Sequence, residues 1–445
     1  MKLMFILPAI GRKDGEEYIG TWKMEPLMIA TLQALTPSDI ETCFFDDRIE
    51  SIDYTIDADI AAISVETYTA SRAYQIAANL RKRNIPVVMG GYHVTAVPDE
   101  AAEHADCVIT GNAESVWTQM LDDFQNGKLK GRYDGERGGF PLMPDRGIYS
   151  TKKYLPLSLI ETGRGCPNHC EFCAITSFYC ANYTPRPIED IVDEIKLASN
   201  KFVFFVDDNL SANREHLLNL CRAITPLKIK WTSQVSLAIA GDDELLQVMK
   251  KSGCQVLLIG FESLDKSNLD QMRKSWNYKL GERDELVQKI HRAGIGIYAT
   301  FVFGFDADAK ESFEATVNFA LKHKFFFAAF NHLLPFPGTP LYTRLQESGT
   351  LLYDKWWLKD GYRYGDVPYN PINMSNEELK NKCAAVRHQF FSPFNILRRG
   401  LSSIWRNPSF MITAIFFSQN KALGDEVDRK LNLPVGVGLD KGGVK

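Results

Sequence analysis

Short apolar runs alternate along the chain with longer stretches in which apolar residues recur every three or four positions. From Lys2 to about Gly127 the runs KLMFILPA, ETCFFDD, IDADIAAISVET, IPVVMGG and ADCVITG are interleaved with MEPLMIATLQAL, SRAYQIAANLRKRN and SVWTQMLDDFQNG, whose periodicity is helical. Strands separated by helices of this length imply parallel crossovers and a doubly wound, Rossmann-like α/β sheet. Ligands sit beyond the carboxyl ends of the strands in such a sheet. That rule selects Leu7 to Ala9, Ser64 to Thr67, Gly90 to Thr95 and Gly111 to Glu114.

A connection rich in Gly, Pro and Arg follows over 128–153, with little periodicity. A second series then reads LSLIETG, KFVFFVDDN, KIKWTSQVS, CQVLLIGFES, IGIYATFVFGF and FFFAAFNHLLPFPG, with helices predicted over 187–198, 214–224, 244–251, 280–293 and 312–322. Six such strands, each followed by a helix, predict a partial, open parallel barrel with its catalytic groups at the carboxyl strand ends. Beyond Gly338 the pattern is irregular and aromatic, then helical over 375–389. The apolar tail after it contains Arg398, Arg399 and Arg406 and reads as a helical cap on the barrel, with peripheral membrane contact as the alternative. The chain thus divides into 1–127, 128–153, 154–340 and a mainly helical 341–445.

Composition narrows the partners. At 445 residues, two or three domains are expected, and 45% hydrophobic with 24% charged residues suits a globular core. A formal charge of -4 gives no general attraction to a polyanion, so small molecules are favoured over nucleic acid. The nine cysteines are an odd number and scattered apart from one cluster, which excludes a secreted disulfide framework. MKLMFILPAIGRKDG reads as a buried first strand rather than a signal peptide, and no apolar run reaches the length of a spanning helix. The expected compartment is the reducing cytoplasm.

The cluster is RGCPNHCEFC, which places Cys166, Cys170 and Cys173 at C-x3-C-x2-C directly after an apolar strand. An iron-sulfur cluster normally takes four cysteines, so three leave one iron open to a substrate or cofactor. Structural zinc is the competing reading. It usually pairs two C-x2-C units or adds His; His169 lies inside the loop and Cys180 beyond it.

With Phe172 just before the last cysteine, this motif resembles the radical S-adenosylmethionine (SAM) superfamily. The resemblance implies a 4Fe-4S cluster whose open iron is chelated by SAM. One electron, from a reductant such as flavodoxin or ferredoxin, then cleaves SAM to a 5′-deoxyadenosyl radical that abstracts hydrogen. It further implies SAM contacts from Phe172, from Asp207, Asp208 and Asn209 where the superfamily usually shows Gly-Gly-Glu, and from Gln234, Ser236, Glu262 and Gly304.

On MEPLMIATLQAL, GGYHVTAVPDEA and ADCVITGNAES, the first domain resembles the cobalamin-binding domain that precedes the barrel in one class of these enzymes. Pro8, Glu66, Thr67, Gly90, Gly91, Tyr92, His93, Gly111 and Glu114 are the implied cobalamin contacts. GGYH at a strand end offers a surface free of side chains on which a flat corrin or its nucleotide tail could lie. The Asp-x-His-x-x-Gly motif that ligates cobalt in many cobalamin proteins is absent, so no His ligand is implied. The resulting expectation is an enzyme that modifies an unactivated carbon of a small or lipid-like substrate, by methyl transfer first. Cyclisation, carbon-carbon coupling, hydroxylation and rearrangement are the alternatives, and a non-catalytic iron-sulfur protein is the reading from another class. Trp356 and Trp357 lean toward a large hydrophobic substrate.

Overall fold

The computed structural model describes residues 1–139, 143–406, 409–437 and 439. The apolar runs form strands, buried on both faces at the centre of the first sheet and alternating along the barrel strands, and each of the two series makes its own parallel sheet. The first contains β1 (Lys2–Leu7), β2 (Glu41–Asp46), β3 (Ile60–Ser64), β4 (Val87–Gly90), β5 (Cys107–Thr110) and β6 (Arg132–Asp134), in the order β2-β1-β3-β4-β5-β6. Leu3, Phe5 and Leu7 point to the face covered by α1 (Leu27–Leu35), and Met4 and Ile6 to the face covered by α2 (Ala70–Arg81). The short α3 (Tyr92–Ala96) and α4 (Pro98–His104) join the α2 side, and α5 (Trp117–Gln125) packs beside α1.

One boundary differs from the sequence reading. β6 lies within the stretch read as a connection and pairs with β5, and Tyr149 donates to the Pro26 carbonyl at 2.6 Å, so much of 128–153 belongs to the first domain. A three-residue strand is too short to show a period.

The second series opens with β7 (Ser158–Ile160). A hairpin of β8 (Gly163–Gly165) and β9 (Tyr183–Pro185) ties off the neck of the cysteine loop, which also carries α6 (Ala174–Tyr179). Strand and helix then alternate through α7 (Ile188–Leu197), β10 (Phe202–Phe205), α8 (Arg214–Ile224), β11 (Lys230–Val235), α9 (Asp243–Lys251) and β12 (Cys254–Glu262). They continue through α10 (Lys266–Gln271), α11 (Trp276–Lys279), α12 (Arg283–Arg292), β13 (Gly296–Phe303), α13 (Lys310–Lys322), β14 (Phe327–His332) and α14 (Pro340–Glu347). The sheet order β14-β13-β12-β11-β10-β7 is that of an open partial barrel of six strands.

An open barrel leaves an edge of unpaired backbone groups, and α15 (Asn376–Phe390), α16 (Pro393–Arg406) and α17 (Phe410–Lys430) cover it. Arg387 Nε donates to the Phe330 carbonyl at 2.9 Å. Buried Arg399 reaches the carbonyls of Phe325, Phe326 and Phe390, and Asn420 that of Phe326. The helical-cap reading of the tail therefore holds; the Arg406 side chain lies outside the described set. Trp356 and Trp357 correct an expectation. Both are buried in the core of the first domain, so they pack rather than meet substrate.

Candidate functional site

The cysteine loop is positioned from below. Gly165 enters it with φ +82°, where an added Cβ would sit 2.1 Å from the Asn182 carbonyl oxygen, and its N–H bonds Asp208 at 3.0 Å. Farther along, Glu171 N donates to Met272, its carbonyl receives Leu341 N, and its carboxylate pairs with Arg344 at 2.7 Å. Burial raises Cys166 and pushes Cys170 up to about 12. A thiol held that high becomes a thiolate at neutral pH only when a metal takes the proton's place. Cys166 feels the charge of Cys173, and Cys170 that of both. Yet among the described residues no three His, Cys, Asp or Glu converge closely enough for a single metal ion.

Several expected SAM contacts gather here. Asn209 Nδ2 approaches Cys166 Sγ at 3.7 Å, and Asp208, pushed up to about 6 by burial, holds the Gly165 turn. Glu262 ends β12 with φ +61° and pairs with buried Lys274 at 2.7 Å. Burial opposes the Lys274 cation, but Glu262 and Cys170 outweigh it and its pKa is raised. Phe172 packs edge-on against Phe305, and Gln234 opens into the barrel.

Three other expected contacts have protein partners of their own. Asp207, pushed up to about 8 by burial, turns back to accept from Thr162 N and Oγ1. Ser236 caps the turn after β11 through Ala238 N. Gly304 lies beneath Tyr369, whose hydroxyl donates to its carbonyl at 3.1 Å.

Facing the loop, a cavity of about 320 Å³ lies between the two domains. Ser64, Gly90, Gly91, Gly111 and Glu114 form its rim from the first sheet, and Phe5, Leu32, Ile109 and Trp117 its apolar depth under α1. The barrel contributes Glu161, Arg164, Phe178 and Tyr179. Gly91 has φ +109° and no room for a Cβ, which would meet the Val65 carbonyl oxygen at 2.7 Å. Arg164 crosses the interface between Glu114 at 2.7 Å and Glu161 at 2.9 Å.

Of the implied cobalamin contacts, Gly90, Gly91, Gly111 and Glu114 therefore line the cavity. Tyr92 stands beside it, donating to the Pro337 carbonyl at 2.7 Å. Pro8, Thr67 and His93 do not line it. Pro8 is buried, and His93 is fully enclosed, with its ring nitrogens 3.3 Å from Thr67 Oγ1 and 3.2 Å from Glu100 Oε1. Arg164, Glu161, Lys274 and the aromatic pair on α6 escaped sequence reasoning. A cation two residues before the first cysteine of the motif was the available signal for Arg164.

Farther in, the barrel's inward positions stay open. Thr232, Gln234, Tyr298, Thr300, Val302, Ala329 and Asn331 are exposed or half-buried, whereas the residues between them are buried. Glu66 is exposed, yet desolvation by surrounding protein raises its carboxyl against the opposing charge of Arg48, so it opens on a walled space rather than bulk water. Burial likewise raises Tyr68, Tyr298 and Tyr364, and the charge of Arg387 acts on all three.

A three-cysteine loop at the first strand end of an open βα barrel, facing a Rossmann-like domain, defines a radical-initiating enzyme. Residues 160–320 match the Radical SAM superfamily; this segment is a radical SAM domain, and the protein is an enzyme. It is 29% identical to the bacteriochlorophyllide d C-12(1)-methyltransferase of Chlorobaculum tepidum, over 84% of each chain. To the hopanoid C-2 methylase of Rhodopseudomonas palustris it is 27% identical, over 74% of this chain and 66% of that one. Its fold matches that of the radical S-adenosylmethionine methyltransferase TsrM from Kitasatospora setae, solved with cobalamin and a 4Fe-4S cluster. The TM-score is 0.64 at 16% identity, over 94% of this chain and 99% of that one.

Proposed function

We propose that the protein is a cobalamin-dependent radical SAM methyltransferase acting on an unactivated carbon of a lipid-like or extended polycyclic substrate. The observation that carries this reading is the interdomain cavity, with its glycine rim on one side and the cysteine loop on the other. When bound, the cluster with SAM supplies a carbon-centred radical and the corrinoid a methyl group.

Cys166, Cys170 and Cys173 would hold three irons, and Asn209, Glu262 and Lys274 would orient the amino-acid end of SAM. Gly90, Gly91 and Gly111 let backbone approach the corrinoid without side chains, and the apolar depth beneath them suits a nucleotide-sized arm. Arg164, held between two carboxylates, keeps the two domains in register across the site. The open inward face of the barrel, with Tyr298, Thr300 and Val302, gives a hydrophobic substrate a wall that excludes water from the radical. The similarity to a bacteriochlorophyllide d methyltransferase and a hopanoid C-2 methylase supports a large apolar substrate. A flavodoxin- or ferredoxin-type donor would supply the electron.

Anaerobic reconstitution tests the proposal. We expect bound corrin bands, SAM cleavage to 5′-deoxyadenosine and, with the correct substrate, a product heavier by one methylene. A reconstituted protein that cleaves SAM but never retains cobalamin would refute the cobalamin-dependent reading.

A further inference from the structure

The C-terminal cap leaves one of its faces unpartnered. On α16, Phe394, Leu397, Leu401 and Ile404 are 73%, 54%, 54% and 36% exposed. Their spacing of three and four residues sets them on one side of the helix. Phe410 and Met411, in the first turn of α17, are 92% and 42% exposed. The other side of α16 is anchored. Arg399 is buried in its bonds to the Phe325 and Phe326 carbonyls just before β14 and to Asn420, and Ile396 packs on the cluster of Val256, Phe326, Ile412 and Phe416. The protein itself therefore fixes which face of the helix looks outward, and that face carries a contiguous apolar row of a kind that marks an interaction surface.

Charge indicates the partner. From Leu379 to Gly424 the chain has no Asp or Glu and seven Lys or Arg, although the whole protein carries a formal -4; of the seven, Arg399 is buried and Lys380 and Lys421 pair with Asp366 and Asp425. Arg398, one turn beyond Phe394, is exposed and has no acidic partner among the described residues. No helix among the described residues is long and apolar enough to cross a membrane. An amphipathic helix with these features lies in an interface, its apolar side chains at the headgroup boundary and its cations among the phosphates.

We infer that the outward stripe of α16, continued by the first turn of α17, docks the protein on an anionic lipid bilayer. The residues beneath it, Val256 and Phe326, lie near the amino ends of β12 and β14. The docked face is therefore at the opposite end of the barrel from the cysteine loop and leaves the catalytic end free. This inference does not depend on the reaction proposed above.

The test is co-sedimentation of the full chain with phosphatidylglycerol or phosphatidylcholine vesicles, at low and high salt. Binding to phosphatidylglycerol, at least about fivefold weaker to phosphatidylcholine and weakened by salt, is expected. The double variant Phe394→Glu, Leu401→Glu should lower the bound fraction at least about fivefold with the melting temperature unchanged, because both side chains project outward. Arg398→Glu should weaken binding to phosphatidylglycerol alone. Equal binding to both lipids, no binding to either, or a double variant that binds like the parent would overturn the inference. So would a concentration-dependent dimer in light scattering that the double variant dissociates, since the face would then belong to a second copy.

Discussion

Glu100 is buried where the first domain meets a segment from far along the chain, and Trp357 Nε1 donates to it at 2.9 Å. Burial opposes its charge, but bonds from His93, Trp357, Tyr74 and Lys355 hold the carboxyl down at about 2. Because the folded value lies below the unfolded one, its contribution is complete above about pH 4.5 and fades as pH falls toward 2. Glu100→Ala should cost about 3 kcal/mol in urea unfolding at neutral pH, with a smaller difference from the parent below pH 4. The cysteines give a sharper outcome. Replacing Cys166, Cys170 or Cys173 with Ala should abolish SAM cleavage, whereas Cys180→Ala should leave the cluster spectrum intact. Cys180 is exposed, in a left-handed turn, with Arg137 on its sulfur. These three candidate ligands stand out in the sequence because residue type and spacing together carry the chemistry. Arg164 and Lys274 do not, since a lone cation has no period and its partners lie elsewhere in the chain. The bonds from Thr162 to Asp207 were hidden for a related reason: a strand-end carboxylate can point either to a ligand or back to its own loop.

Arg399 carries the edge of the barrel. Its guanidinium satisfies three backbone carbonyls and the Asn420 side chain, and burial pulls its pKa down to about 9. Arg399→Met fills a similar space but strands those acceptors, and should cost about 2–4 kcal/mol. Hydrogen exchange should then rise along β14 before it rises in β12. The long strands and helices of both domains were readable because each displays several periods of its pattern. The β8–β9 hairpin and β6 were not, because three residues display none. The edge role of α15 to α17 was hidden as well, since the sequence shows an apolar helix face but not the strand it covers.

At the scale of the whole molecule the two domains are bound at several points. Trp356, Trp357, Tyr362 and Val435 enter the first domain's core. Glu426 receives Thr21 N at 3.1 Å, and Gly436 N donates to Ile10 at 2.7 Å. Arg146 joins Glu25 to Glu194. Linked so broadly, the domains should unfold in one calorimetric transition, with calorimetric and van't Hoff enthalpies in agreement. Two separate peaks would show that the core contributed by the C-terminal segment does not couple them.

Phe178 and Tyr179 form part of the wall of the interdomain cavity, and both stand on α6, which begins at the residue after Cys173. Whatever grips Cys173 therefore also fixes that wall. Two sites that share one structural element share a free energy. We expect occupation of either to favour the other; linkage then requires the same factor in both directions, and an enzyme stripped at one site should bind more weakly at the other.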